Sequence, residues 1–113
     1  MTLPSLKDIK LTNVYHESQY GRKYISFKAD DRQSYRMVLI KDKDRGIFEP
    51  VRVYHKLDIH CLLCDKEGMH DNCSYFGKHL DALFQRLIQF PSIRLEWLFI
   101  PHAGGGVLEE NSQ

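Results

Sequence analysis

Tyr75–Phe90, YFGKHLDALFQRLIQF, is the stretch at which the periodicity of the chain changes. Its apolar residues Phe76, Leu80, Leu83, Phe84, Leu87 and Ile88 recur at i, i+4, i+7, i+8, i+11 and i+12. Only a helix, of about four turns, gathers that set into one stripe. Asn72 or Ser74 offers a side-chain oxygen to cap its first turn, and Pro91 ends it near Gln89.

Upstream the period is two. VYHES (14–18) and KYISFKAD (23–30) flank a turn built on Gly21, and SYRMVLIKD (34–42) follows the polar break DDRQ. KDKDRG is a charged turn ending in Gly46, after which FEPVRVYHKLDIH (48–60) resumes the strand pattern. Val51, Val53, His55, Leu57 and Ile59 share one face of it, and Pro50 belongs at its start or at a sheet edge. After the helix, SIRLEWLFI (92–100) alternates Ile93, Leu95, Trp97 and Phe99 with Arg94 and Glu96, the pattern of an apolar, interior last strand. The expected fold is α+β: an antiparallel sheet of four to five strands with one long helix from the second half of the chain packed on it. One domain spans residues 1–103, and the glycine-rich, polar 104–113 reads as a flexible tail.

No apolar run approaches the roughly 18 residues of a membrane span, and MTLPSLKDIKL is not built like a signal peptide. A cytoplasmic protein without a membrane partner is expected. Three cysteines, clustered and odd in number, do not make a disulfide framework and suit a reducing compartment. The overall charge of +1 conceals a basic first half, net +5 over residues 1–56, and an acidic second half, net −4. Such a chain either presents a basic and an acidic surface or mixes the two on folding.

All three cysteines lie in HCLLCDKEGMHDNC (60–73), between the last upstream strand and the helix. The spacing Cys61-x2-Cys64-x5-His70-x2-Cys73 offers three thiolates and one imidazole, the donors of a closed tetrahedral structural zinc (Zn2+) site. A C-x2-C pair turns its sulfurs to one side of a tight bend, and Gly68 permits the reversal that returns His70 and Cys73 to them. The loop has only Met69 to bury, so an ion supplies folding energy that apolar burial does not. His60 is the alternative imidazole. Free thiols buried as small apolar residues, and a redox or iron–sulfur role, are the competing readings. The ligand set is similar in kind to the zinc knuckles, which resemblance implies single-stranded nucleic acid, but their C-x2-C-x4-H-x4-C spacing differs at both later intervals.

Four ligands leave no open position for catalysis, and no deaminase, Walker, dinucleotide or nucleophile-elbow motif is present in the sequence. A small non-catalytic, zinc-stabilised protein acting through a protein partner is expected, of inhibitor, immunity or adaptor type. Asp65, Glu67, Asp71 and Asp81 are its candidate surface for a basic partner such as a nucleic-acid enzyme. The alternative is single-stranded nucleic acid bound by Arg22, Lys23, Tyr24, Arg36 and Arg52 of the basic, tyrosine-containing strands. A metal-independent nuclease using histidines such as His55 beside Lys56 is the third reading.

Overall fold

The computed structural model describes residues 5–97 and 100–102, apart from the side chains of Glu67 and Glu96; the expected tail 104–113 lies outside the described residues. Four antiparallel strands, β1 (Leu11–Gln19), β2 (Arg22–Ala29), β3 (Gln33–Lys41) and β4 (Phe48–His55), form a meander in the order β1-β2-β3-β4. Tyr20 and Gly21 make the first turn, both at positive φ, the two-residue geometry that matches strand twist and that glycine adopts freely. Asp30 and Asp31 repeat the left-handed pair in the second turn, where the Arg32 N–H closes on the Ala29 carbonyl. In the third turn the Asp42 carboxylate accepts the Asp44 and Arg45 N–H groups and pairs with the Arg45 guanidinium.

One bulge interrupts each edge strand. In β1 the register slips by one residue between Thr12 and Tyr15, with Asn13 at φ 50°, and in β4 it slips between the partners of Val38 and Leu39. The second bulge turns Val51 to solvent while Val53 and His55 stay inside. β4 also stops at His55, so Leu57 and Ile59 continue no strand and are exposed. A two-residue hairpin, β5 (His60–Cys61) with β6 (Lys66–Glu67), follows.

The helical stripe is real, but the single long helix is not. Ser74–Gly77 (α1) and Leu80–Leu87 (α2) are separate, broken where Lys78 and His79 bond back by one short turn and α2 restarts with His79 as its N-cap. Gly77 weakens helix by about 1 kcal/mol relative to alanine. Cys73, whose N–H is tied to the Val53 carbonyl, fixes where the first segment starts. Phe76, Leu83, Phe84, Leu87 and Ile88 nevertheless all face the core, as their spacing predicts.

The expected last strand is also a helix, α3 (Pro91–Trp97). Proline at the first helical position gives up no needed N–H, and the Phe90 carbonyl takes the N–H groups of Ile93 and Arg94. Alternation of Ile93, Leu95 and Trp97 fits either period, and burial decides between them: Ile93 and Trp97, four apart, are buried while Leu95 is 72% exposed.

The three helices cover one sheet face, enclosing Ile25, Phe27, Tyr35, Met37, Leu39 and Val53 against Phe76, Phe84 and Trp97. Full burial of an aromatic side chain of this size contributes about 2–3 kcal/mol. Arg86 of α2 donates to the Leu6 and Ile9 carbonyls, and Ser92 of α3 donates to the Val14 carbonyl at the β1 bulge, so polar pins fix the helical layer at one side. The outer rank of β4 is occupied at both ends. Asp71 accepts from the His55 N–H, the His70 and Cys73 N–H groups donate to His55 and Val53 carbonyls, and Phe48 donates to Pro101. No helix among the described residues is long and apolar enough to cross a membrane.

Candidate metal centre

β4 runs inward at its end, and its last residue is His55, fully buried on the same face as Val53. The chain then leaves the sheet, and three Gln33 side-chain hydrogen bonds hold it: Nε2 donates to the Leu57 and Ile59 carbonyls and Oε1 accepts the Leu57 N–H. This places Cys61 in β5 under the sheet end and Cys64 one turn later, the Asp65 N–H closing that turn on the Cys61 carbonyl. Gly68, at φ 147°, reverses the path, and residues 70–73 return along β4 to set Cys73 beside Val53 at the start of α1. A side chain at Gly68 would collide with the Asp71 carboxylate, so the reversal requires glycine on two grounds.

The result is a cluster of His55, Cys61, Cys64 and Cys73 whose ligating atoms all lie within 4.8 Å of one another. Cys61 and Cys73 sulfurs are 4.0 Å apart, and Cys64 Sγ is 3.3 Å from His55 Nε2. A tetrahedral ion with metal–sulfur bonds of about 2.3 Å and metal–nitrogen bonds of about 2.0 Å needs sulfur–sulfur edges of about 3.8 Å and sulfur–nitrogen edges of about 3.5 Å. The four donors therefore surround a volume of the right size for a divalent metal ion. No protein-family model, curated protein or solved structure matches the chain. The centre is defined by its own geometry.

Surrounding groups orient the donors. His55 Nδ1 lies 3.2 Å from the Gly68 carbonyl, so the Nδ1–H donates there and Nε2 turns its lone pair to the sulfurs, the usual arrangement behind a ligating imidazole. The buried Tyr35 hydroxyl is 2.9 Å from Cys61 Sγ. Burial and the adjacent sulfurs push the Tyr35 hydroxyl up, keeping it a proton donor. Contact with Cys73, and then with Tyr35 and the Leu63 and Cys64 N–H groups, holds Cys61 well below the usual thiol range. Cys64 is raised by burial, and Cys73 by its bond to Cys61 and by burial. Three thiols this close cannot ionise together unless a cation joins them. All three are free, so no disulfide competes.

His55, not His70, lies with the three cysteines, which corrects the sequence expectation. His70 sits at φ 72° with its N–H on the His55 carbonyl, is exposed, and packs its ring on Tyr54 on the opposite side of the sheet. His60 is no substitute, because its Nε2 pairs with Asp65 at the surface. The signal for His55 was its parity with Val53: a histidine on the core face of a strand needs a buried partner, and the first cysteine, Cys61, follows six residues later.

The acidic candidates do not converge. Asp65 is exposed in the knuckle, Asp71 turns back on Gly68, Asp81 opens α2, and Glu67 contributes β6 backbone. The basic candidates do, with one exception: Arg22, Tyr24, Arg36 and Arg52 share the helix-free sheet face, whereas Lys23 has the opposite parity and lies over the Phe48 ring.

Proposed function

We propose that the chain is a non-catalytic binding protein whose fold is held by a structural zinc ion on His55, Cys61, Cys64 and Cys73. The observation that carries this reading is the position of the cluster: its donors come from the end of β4, the β5 knuckle and the residue that starts α1. An ion there fastens sheet to helical layer. Three sulfurs and one imidazole suit zinc, and a fully protein-ligated tetrahedron offers no position for a reacting water. The zinc acts as part of the scaffold, and function falls to the surfaces that the scaffold presents. Protein purified without chelator is expected to contain one zinc per chain by elemental analysis, with three cysteines protected from thiol reagents until the metal is removed. Metal-free protein with the same melting temperature as the purified form would refute the reading.

A protein partner docked on the knuckle is the second reading, favoured by Ile59 and Leu62, 43% and 56% exposed in the same short segment as Asp65. Affinity capture with the full chain tests it, since Leu62→Asp should release a stoichiometric protein while zinc content stays at one.

A further inference from the structure

The helices, the β5–β6 hairpin and Pro101–His102 cover one sheet face and the β4 edge; among the described residues no helix covers the other face, where His70 packs on the buried Tyr54, Ser26 and Val38 are also buried, and Tyr15, Arg22 and Arg52 are exposed. Across the four strands one transverse row reads Tyr15, Ser26, Arg36, Tyr54, and the next reads Glu17, Tyr24, Val38, Arg52. Flat cation–ring stacks recur on it. The Arg36 guanidinium lies 5.2 Å from the Tyr24 ring centre, Arg52 lies 4.8 Å from that of Tyr54, and the Lys56 ammonium lies 5.2 Å from that of Tyr15. Glu17 and the Tyr54 hydroxyl hold Arg36 in place at 2.9 and 3.1 Å, so the central stack is preorganised.

Charge on this face is one-sided. Among the described residues, Lys28, Arg22, Arg36, Arg52 and Lys56 share it with Glu17 and Glu49 and, at one end, with Asp31, which accepts from Thr12; Glu49 is already paired with Arg45 of the neighbouring turn and Asp31 with Lys10. A merely solvated face would intersperse both signs, whereas cations flanking aromatic rings suit phosphates and unpaired bases together.

Resting on the reading of this chain as a binding protein, we infer that the helix-free sheet face, centred on the Arg36–Tyr24 stack and the exposed Tyr15 and Arg52 guanidinium, binds single-stranded nucleic acid. Unpaired bases stack on aromatic rings and on guanidinium planes, and flanking cations take the phosphates. Four strands give a platform about 14 Å wide, enough for a few nucleotides and too flat to enter a duplex groove. Zinc keeps the platform rigid from behind, because β4 carries both Tyr54 on the helix-free face and His55 in the metal centre.

Fluorescence anisotropy with ten-nucleotide oligo-dT and oligo-U, using the zinc-loaded full chain, tests the inference. Binding is expected at low salt, with log K falling by about 3 per tenfold rise in salt if four phosphates are engaged. Arg52→Glu and Tyr24→Leu should each weaken it about tenfold or more. Lys23→Glu makes the same charge change as Arg52→Glu on the other face and should cost less than threefold. Preference for either oligonucleotide supports the inference, and oligo-dU, which differs from oligo-U in the sugar alone, then separates the 2′-hydroxyl from the thymine methyl. Equal affinity for polyglutamate, equal loss on Lys23→Glu, or no binding at 25 mM salt overturns it. Zinc content and melting temperature measured on the same samples report separately on the scaffold, so a stable, metal-loaded protein that ignores the oligonucleotides refutes the ligand and leaves the zinc reading standing.

Discussion

Replacing His55 with alanine separates the observed centre from the one that residue spacing suggests. Structural zinc sites of this kind bind with an apparent free energy of about 10–16 kcal/mol, so an even share for one of four donors is about 3 kcal/mol. That is about a hundredfold in Kd. With free zinc set at a hundred times the parent Kd, binding stabilises the parent by about 2.7 kcal/mol, and the variant, whose Kd then equals the free zinc concentration, by about 0.4 kcal/mol. The difference lowers the melting temperature by about 10 °C in a chain of this size. Competition against a chelator of known affinity gives the Kd, and calorimetry in buffered zinc gives the melt. Apo forms of parent and variant must be melted alongside, because His55 is fully buried and its removal also leaves a void. His70→Ala and His60→Ala serve as comparators. Both should stay within threefold of the parent Kd, since neither imidazole belongs to the cluster. A His70→Ala protein that loses zinc, or a His55→Ala protein that keeps it with parental affinity, would show that the arrangement of donors described above is wrong.

Tyr35→Phe removes the hydroxyl beside Cys61 Sγ while leaving the ring in the core, and should weaken zinc binding 10- to 100-fold by the same competition assay; parental affinity would mean the contact is incidental. Zinc affinity should rise by about two decades per pH unit between pH 6 and 8, because Cys64 and Cys73 are raised and enter the complex protonated while Cys61 is already ionised. The sign follows from proton release: binding expels two protons, so the stability conferred by the ion is present at high pH and fades as pH falls, and a flat profile would contradict it. Gly68→Ala forces a side chain into left-handed backbone and against Asp71, and urea melts of the zinc form should show a loss of about 1–3 kcal/mol, with no loss if the loop simply re-routes.

What residues alone disclosed depended on how many neighbours a pattern needed. Two-residue periodicity and positive-φ turns are local properties, so β1 to β4 and the turns at Gly21, Asp30–Asp31 and Gly46 could be located before any tertiary contact was known. The apolar stripe of Phe76 to Ile88 likewise identified its buried face. Its continuity was set elsewhere: Cys73, tied to β4, fixes the start of α1, and Lys78 and His79 bond back by a short turn before α2 restarts. Ile93, Leu95 and Trp97 satisfied two periods at once, and only the core that Trp97 fills distinguished helix from strand. At the metal centre the cysteines are close in sequence and were legible. His55 lies in a different element, and its role depends on the chain doubling back along β4, a long-range event that spacing does not encode. The aromatic and basic residues of the strands were visible as a set, but which of them share a face required the register, and the register separated Lys23 from the rest.

The strip from His70 to Cys73 has a consequence beyond ligation. It occupies the outermost N–H and C=O groups of β4, the groups through which a strand recruits an identical neighbour. With the proposed ion in place Cys73 would be held by it, so a chelator that strips the metal would also loosen this cover. The exposed edge would then be a template for edge-to-edge stacking, which would make the coordination bond a safeguard against self-association as much as a source of rigidity.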